Sequence, residues 1–234
     1  MTKWKDVYPR PQLVRDKWLS LDGEWTFSIK KTNEAGLPPK PKKINVPFCP
    51  ESMLSGLNRI TRPDELMLYG KGFKVPEEWN GMRLILHLGA VDQTAKVYID
   101  GKYAGSHEGG YLPFSFDITE LLNEEDGNTI HSVIVEARDN LDHKYPWGKQ
   151  KARNRGMWYT PVSGIWQSVW LEPVPEKHIT SLSIDTGLDW AEIRAYGVTE
   201  GTLELCGKTY ELTEVTDSSV PCASVHIDID RPEL

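Results

Sequence analysis

The chain has 234 residues, of which 39% are hydrophobic, enough to build one large β domain or two smaller ones around a packed core. Its 34 acidic and 27 basic side chains leave a net charge of −7, which argues against nucleic acid as a partner. No apolar run approaches the ~20 residues of a membrane-spanning helix, so a membrane protein is not expected.

The N-terminal residues 1–12 (MTKWKDVYPRPQ) contain no hydrophobic signal region, which favours a cytoplasmic protein. Three cysteines, Cys49, Cys206 and Cys222, are odd in number and lack the spacing of metal ligands. We therefore expect free thiols in a reducing compartment and no metal site. The one locally basic stretch, residues 38–43 (PPKPKK), is expected to be a proline-stiffened loop in solvent.

Strand signals dominate the middle of the chain. In residues 83–88 (RLILHL) the leucines alternate with other residues, which predicts a strand with one buried face. Residues 95–106 (AKVYIDGKYAGS) predict two short strands around Asp100-Gly101, a dipeptide suited to a type I′ turn. Helix signals are few: residues 50–57 and 119–123 each predict at most a short helical turn.

Two further strands follow. Residues 129–139 (TIHSVIVEARD) predict a long strand whose apolar face is formed by Val133, Val135 and Ala137. Residues 164–172 predict another strand with alternating faces. One face carries Ile165, Val169 and Leu171, and the other carries Trp166 and Trp170. Many short strands separated by turn residues indicate a β-sandwich of the jelly-roll or Greek-key kind.

The composition changes after residues 173–175 (PVP), where aromatic-rich sequence gives way to plainer strand patterns such as ITSLSI and AEIRAYGV. We therefore predict two domains, residues 1–176 and residues 177–234, both built from β-strands. The second is short for a complete sandwich and residues 231–234 (RPEL) carry no closing strand signal. This predicts that the polypeptide continues beyond the sequence given.

Seven stretches of the chain, read in order, carry a family resemblance. They are residues 21–27 (LDGEWTF), 46–56 (VPFCPESMLSG), 84–92 (LILHLGAVD), 97–101 (VYIDG), 107–119 (HEGGYLPFSFDIT), 148–150 (GKQ) and 157–172 (MWYTPVSGIWQSVWLE). Together they resemble the N-terminal part of glycoside hydrolase family 2, the β-galactosidase, β-glucuronidase and β-mannosidase family. The chain departs from the family pattern at residues 68–71 (LYGK) and at Gln93, which weakens any choice of sugar.

The resemblance implies a jelly-roll (galactose-binding-like) β-sandwich followed by an incomplete immunoglobulin-like β-sandwich domain. It also implies that a (β/α)₈ barrel follows in the same polypeptide, with the two glutamates of retaining β-glycoside hydrolysis at the ends of its strands. The chain would then be the non-catalytic N-terminal portion of such a hydrolase, with a carbohydrate substrate and no cofactor. A homo-oligomer is a further option that the resemblance leaves open.

No catalytic residue is expected in this chain. In the family, the acid/base glutamate follows an asparagine, and this order occurs at Asn33-Glu34 and Asn123-Glu124. Both dipeptides lie in turn-rich segments of the first predicted domain, where no barrel surrounds them.

Substrate contacts are instead expected from the loop that follows the strand of residues 129–139. Asp139 matches the position from which some family members send an aspartate to sugar hydroxyls, although capping of the loop's own backbone is an equally good interpretation. The other candidate substrate-binding residues in this loop are Trp158, Trp147, Lys149 and Gln150. For Trp158, packing between domains is the alternative to sugar stacking. We expect Asp139→Ala to impair turnover of a complete enzyme far more than Asp142→Ala.

The remaining conspicuous residues favour structural roles. Tryptophans bury so much area that Trp166, Trp170, Trp18 and Trp25 are expected to be core or interface residues. His107, which precedes Gly109-Gly110, is expected to belong to a turn where backbones approach closely. Asp228 and Asp230 are expected to be solvated edge carboxylates rather than calcium ligands.

Two other function classes stay open at this point: a stand-alone carbohydrate-binding module, and a scaffold that only supports oligomer contacts. A barrel-coding sequence beyond Leu234 would favour the hydrolase, and calorimetry with simple sugars would separate the other two.

Overall fold

Antiparallel strands make up most of the chain in the computed structural model, which describes residues 7–36, 38–122, 129–141 and 143–229. The strands of the first part are β1 (Leu19–Ser20), β2 (Gly23–Lys31), β3 (Lys42–Val46), β4 (Glu65–Phe73), β5 (Arg83–Leu88), β6 (Val91–Asp92), β7 (Thr94–Ile99), β8 (Lys102–Glu108), β9 (Phe114–Asp117), β10 (His131–Arg138), β11 (Gly164–Ile165) and β12 (Val169–Val174). The strands of the second part are β13 (Ser181–Thr186), β14 (Trp190–Tyr196), β15 (Gly201–Leu205), β16 (Lys208–Glu214) and β17 (Cys222–Asp228).

Helical structure among the described residues is limited to three short 3₁₀ turns, Met53–Ser55, Glu77–Trp79 and Thr119–Leu121. The predicted helical turns within residues 50–57 and 119–123 are therefore confirmed as single turns, although Asn123 itself lies outside the described residues. Ser52 caps the first turn because its hydroxyl accepts a hydrogen bond from the Leu54 N–H. The all-β fold class is confirmed.

Two compact units divide the chain: the first contains the residues up to 173 except 10–14, and the second contains 10–14 and the residues from 174 onward. The first unit is a β-sandwich. One sheet has the strand order β3-β2-β4-β10-β7-β8, the other has the order β1-β12-β5-β9, and β11 and β6 form a separate pair.

Side chains from both sheets of the first unit form one apolar core. Alternation along β10 places Val133, Val135 and Ala137 in it with no exposed surface, as the sequence pattern predicted. Leu86 of β5 and Leu171 of β12 pack against them from the opposite sheet. Complete burial of a side chain of this size contributes about 1.5–3 kcal/mol to folding.

The predicted hairpin at Asp100-Gly101 is confirmed. Both residues have positive φ angles, 48° and 79°, as a type I′ turn requires. The side chain of Asp100 also holds the neighbouring strand, because one carboxylate oxygen accepts the Ser132 N–H at 2.7 Å and the other lies 2.6 Å from His131 Nδ1. The turn is thus tied to the start of β10.

Tryptophans of the first unit hold the sandwich together, as predicted. Trp25 is buried and its indole N–H donates to the Leu21 carbonyl at 2.8 Å. Trp170 is buried and stacks on His87 with ring centroids 4.8 Å apart. Trp18 packs edge-on against Tyr8, with ring centroids 5.5 Å apart.

Glu172, in β12, is a buried carboxylate with several donors around it. The Trp170 indole N–H donates to it at 2.7 Å, Tyr8 donates its hydroxyl, and Arg15 Nε lies 3.3 Å from the second oxygen. His87 Nε2 lies 3.2 Å from that same oxygen. Although burial alone would raise the pKa of Glu172, the hydrogen bond and positive charge of His87 lower it to about 2, together with the hydrogen bonds from Tyr8 and Trp170.

The second unit contributes a single antiparallel sheet, β13-β14-β17-β16-β15, over residues described up to 229. Its buried apolar residues form two clusters of three. One contains Ala191, Ile193 and Ile227, and the other contains Ala195, Leu212 and Ala223. Ile184, in β13, is 63% exposed. Over the described residues, the second unit is therefore one sheet with two small apolar clusters.

Two smaller expectations concern cysteines and edge carboxylates. Cys49, Cys206 and Cys222 are all free, as predicted. The Asp228 side chain is 88% exposed, with His226 Nε2 at 3.5 Å, so it is solvated as predicted. The prediction of an edge position is wrong, because β17 lies between β14 and β16 in the sheet. Asp230 lies outside the described residues.

Candidate functional site

Asp92 and Asp139 meet at the end of the sandwich where β6 and β10 terminate. Asp92 is the last residue of β6 and is paired with Gly164 of β11, whereas Asp139 directly follows β10. The Gln93 N–H donates to the Arg138 carbonyl at 3.1 Å, so the backbones beside the two aspartates are hydrogen-bonded. Both aspartates are almost completely buried, with 4% and 5% of their surfaces exposed.

Burial and nearby negative charges make these two carboxyl groups weak acids. Burial, followed by the negative charges of Asp139 and Glu51, raises the pKa of Asp92 to about 7, against the lowering effect of a hydrogen bond from Gln150. Burial and Glu51 also raise the pKa of Asp139, although a backbone hydrogen bond opposes them. Near neutral pH, the Asp92 carboxyl group is therefore partly protonated and partly ionised. It can donate a hydrogen bond in the first form and accept one in the second.

Asp139 also caps the loop that follows it. Its Oδ1 accepts the Leu141 N–H at 2.7 Å, and Leu141 has a φ of 54°, which is unfavourable for a branched side chain. The backbone-capping interpretation of Asp139 is therefore correct for one oxygen. Strained residues of this kind are often found beside functional sites.

Glu51 brings a third carboxylate to this end of the sandwich. One oxygen accepts the Thr61 hydroxyl at 2.8 Å and the Ser163 hydroxyl at 2.7 Å, and the two corresponding N–H groups donate at 3.1 and 3.2 Å. Charge-assisted bonds of this kind are the stronger ones in proteins. Glu51 thereby connects the segment after β3 to the segment that leads into β11.

Gln150 is the residue through which the loop after β10 reaches the aspartates. Its amide bonds to the Asp92 carboxyl group, its Oε1 accepts the Val162 N–H at 2.5 Å, and its Nε2 lies 3.4 Å from the Tyr111 hydroxyl. Gln150 is buried. Its amide is therefore committed to protein groups, which suits a residue that orients Asp92.

The Gly109-Gly110 segment packs directly against Asp92. A Cβ at Gly110 would lie 2.4 Å from Asp92 Cγ, and the Gly110 carbonyl accepts the Trp166 indole N–H at 2.8 Å. Gly109 has a φ of 106° and its N–H donates to the Gln93 carbonyl. The predicted close approach of backbones at these glycines is confirmed, and His107 beside them stacks on Phe114 as a structural residue, 4.2 Å between ring centroids.

Trp147 and Trp158 belong to an aromatic stack on the loop after β10. The ring centroids of His143 and Trp147 are 4.1 Å apart, those of Trp147 and Trp158 are 5.8 Å apart, and both pairs are close to parallel. Lys151 Nζ lies 3.6 Å from the Trp158 ring centroid, a cation–π contact. Both indoles therefore already have partners within the loop, and a sugar would meet the ends or edges of this stack.

Of the five predicted residues, Asp139 and Gln150 both lie next to Asp92. Trp147 and Trp158 contact each other, and Lys149 is exposed, with a φ of 59° that turns the loop.

Sequence reasoning missed Asp92 and Glu51 as members of the site. Both lie inside the stretches that carry the family resemblance, LILHLGAVD and VPFCPESMLSG. The available signal was an acidic residue that closes an apolar run, a pattern that is uncommon because burying a carboxylate is costly.

The other acidic candidates do not join this site. Glu34 is exposed and its Oε2 accepts the Lys31 N–H at 3.4 Å, whereas Asn123-Glu124 and Asp142 lie outside the described residues. Within the described residues, no group of three His, Cys, Asp or Glu side chains is arranged to hold a metal ion. The same part of the chain contains no helix of sufficient length and hydrophobicity to span a membrane.

Comparison with known proteins shows which family this chain is similar to. Residues 57–175 match the profile of the sugar binding domain of the family 2 glycosyl hydrolases. A β-galactosidase of Thermoanaerobacter pseudethanolicus is 35% identical over 165 residues, which cover 69% of this chain and 21% of that protein. A β-glucuronidase of Bacteroides fragilis is 39% identical over 119 residues, which cover 51% of this chain and 16% of that protein.

Solved structures agree on the fold. The β-glucuronidase of Ruminococcus gnavus, in complex with a C6-substituted uronic isofagomine, matches 96% of this chain with a TM-score of 0.64 and 22% sequence identity. The match covers 41% of that protein's chain. This chain therefore spans less than half the length of the relatives that it matches.

Proposed function

Because this chain belongs to glycoside hydrolase family 2, we propose that it is the non-catalytic N-terminal portion of a retaining β-glycosidase. In this role the sandwich supports and completes the substrate site of a catalytic barrel in the same polypeptide. Retaining hydrolysis uses two carboxyl groups about 5–5.5 Å apart, one as nucleophile and one as general acid/base. The barrel would supply that pair.

The observation that carries the proposal is the convergence of Asp92, Asp139 and Gln150 at one end of the sandwich. Carboxylates are good acceptors for sugar hydroxyls, and a carboxyl group with a pKa of about 7 can also donate. Because Gln150 is held by Val162 and bonds to Asp92, it fixes the orientation in which Asp92 would meet a hydroxyl.

The substrate class follows from the relatives. Those compared above are named β-galactosidase and β-glucuronidase. We therefore include β-galactosides and β-glucuronides as the proposed substrates, with no cofactor. The aromatic stack of Trp147 and Trp158 and the exposed Lys149 belong to the same loop as Gln150 and would border the sugar.

The test is kinetic and uses the complete enzyme. Asp139→Ala and Asp92→Asn should lower kcat/KM for 4-nitrophenyl β-galactoside or β-glucuronide at least tenfold. The matched control is Asp64→Ala, an exposed aspartate of the same unit, and Asp142→Ala serves as the comparison within the loop. Melting curves of each variant separate a lost contact from a lost fold. Wild-type kinetics for both site variants, with the fold intact, would disprove the proposed role of this site.

The alternative functions are a stand-alone carbohydrate-binding module and a scaffold or oligomerisation domain. The coding sequence beyond Leu234 decides between them and the hydrolase, since a barrel-coding stretch is expected for the hydrolase. Cytoplasmic location is part of the proposal and is supported by the three free cysteines. A homo-oligomer stays a prediction, which light scattering on the purified protein would test.

A further inference from the structure

A basic cleft of about 400 Å³ opens in the first unit, at the edge formed by β2 and β3. Its volume falls in the ~300–1,000 Å³ range of small-molecule sites. Phe27, Ile29 and Leu57 give it an apolar floor. The Ser28 hydroxyl donates to the Pro39 carbonyl at 3.0 Å and holds the neighbouring loop against the cleft.

The walls of this cleft are strongly positive in a chain whose net charge is −7. Five cations line it, and they are Lys30, Lys31, Lys40, Lys42 and Arg59. Two carboxylates also line it, Glu34 and Glu65.

The two carboxylates do not neutralise the lysines. Glu65 is engaged on both oxygens, with Arg59 Nη2 at 2.6 Å and the Arg62 N–H at 3.0 Å. Glu34 accepts the Lys31 backbone N–H. Across the described chain, no ion pair involves the ammonium group of any of the four lysines that line the cleft.

We propose that this cleft binds an anion carried on a ring with an apolar face, such as a sugar acid or an aromatic carboxylate. The ring would lie on Phe27, Ile29 and Leu57, and its carboxylate or sulfate group would lie among the ammonium groups of Lys30, Lys40 and Lys42. Apolar floor and cationic wall together favour such a ligand over a neutral sugar or a hydrated inorganic ion. The site is separate from the Asp92–Asp139 site and does not depend on the proposed glycosidase function.

The sequence predicted an exposed loop at residues 38–43, but only residues 38–41 are loop, and Lys42 and Lys43 begin β3. The structure adds Lys30 of β2 and Leu57, which lie outside that segment, to the cleft. The pairing of Phe27 with Lys42 in the sheet is what brings the loop's lysines over the apolar floor.

The experiment is a titration of the ¹⁵N-labelled 234-residue chain, followed by amide shifts, with two matched pairs of probes. Sodium 2-naphthoate is compared with 2-naphthamide, and sodium D-glucuronate with D-glucose. Each charged probe differs from its partner mainly by the carboxylate. Shifts are expected at Lys30, Lys42 and Leu57 with a charged probe and not with its neutral partner, and an increase from 0.05 to 0.5 M NaCl should weaken binding severalfold.

The double variant Lys40→Glu/Lys42→Glu should weaken binding at least tenfold, whereas Lys102→Glu/Lys208→Glu makes the same charge change at exposed lysines elsewhere and should not. Binding of glucuronate alone would identify a sugar-acid site and binding of naphthoate alone an aromatic-acid site. If neither binds, if neutral partners bind equally well, or if both double variants behave alike, the proposal is wrong. The salt titration needs no variant and keeps the test valid if the double variant misfolds.

Discussion

The carboxyl group of Asp92 occupies the space that a side chain at Gly110 would need. A Cβ at Gly110 would lie 2.4 Å from Asp92 Cγ and 2.5 Å from its Oδ1, far inside van der Waals contact. The Gly110 carbonyl is at the same time held by the Trp166 indole. The glycine cannot move away without breaking that bond, so the position of Asp92 depends on the absence of a side chain at residue 110.

Gly110→Ala should therefore displace Asp92 and destabilise the first unit by about 1–3 kcal/mol, the usual cost of overpacking. Urea unfolding followed by tryptophan fluorescence measures this change. Gly201→Ala is the matched control, because nothing lies within 4 Å of a Cβ there, and it should leave the midpoint almost unchanged. Equal midpoints for the two variants would show that the site tolerates a methyl group.

Asp92→Asn should stabilise the protein, and increasingly so as the pH rises from about 4 to 7. The folded-state pKa of Asp92 is raised from 3.8 to about 7, so the folded protein holds the proton more tightly than the unfolded chain. That contribution is fully present below about pH 4 and is lost as the pH rises through about 7. At about 1.4 kcal/mol per pKa unit, the upper bound for this effect is about 4 kcal/mol.

Thermal unfolding of wild type and Asp92→Asn at pH 4, 5.5, 7 and 8 measures this difference. Asp64→Asn, at an exposed position, is the control and should follow the wild-type pH dependence. A constant difference between wild type and Asp92→Asn at all four pH values would contradict the assignment of a raised pKa to this residue.

Glu172→Gln should destabilise the protein at neutral pH, in contrast to the stabilisation expected for Asp92→Asn. The folded-state pKa of Glu172 is lowered from 4.5 to about 2, so its ionised form stabilises the fold above about pH 4.5 and this contribution is lost as the pH falls toward 2. At pH 7 the substitution leaves Arg15 and His87 facing a neutral amide and should cost about 2–4 kcal/mol. Glu78→Gln, at an exposed glutamate, should cost almost nothing in the same urea titration.

The 234-residue chain by itself should cleave no aryl β-glycoside. Retaining hydrolysis needs a pair of carboxyl groups on a rigid scaffold, whereas Asp92 and Asp139 are almost completely buried and are hydrogen-bonded to Gln150 and to the Leu141 N–H, respectively. A chromogenic assay with galactoside, glucuronide and mannoside substrates at high protein concentration checks this. Turnover that persists after removal of host glycosidases, and that disappears when a carboxylate of this chain is substituted, would overturn the prediction.

Local patterns in the sequence were sufficient for several strands and for the hairpin turn, but residues 164–172, predicted as one strand, form the separate strands β11 and β12. Alternation places Val133, Val135 and Ala137 in the core because successive side chains of a strand point to opposite faces. Asp100-Gly101 specifies its turn because both residues tolerate positive φ angles. These features depend on neighbours within a few residues, so no knowledge of the tertiary fold was needed.

The composition of the site was decided by tertiary structure. Asp92 is far in sequence from Asp139 and Gln150, and they meet because β6 and β10 terminate at the same end of the sandwich. Asp139 and Gln150 could be proposed from the resemblance, but the raised pKa of Asp92 requires its burial beside other carboxylates, which no local pattern encodes.

The sequence by itself therefore determined the all-β class, the main strands, the hairpin turn and the family. Only the tertiary structure decided which carboxylates share the site, which tryptophans are already in contact with other rings, and where the lysines of the PPKPKK loop lie. The physical reason is that strand periodicity and turn chemistry are short-range properties, whereas burial, electrostatic coupling and a cleft arise from strand register between distant segments.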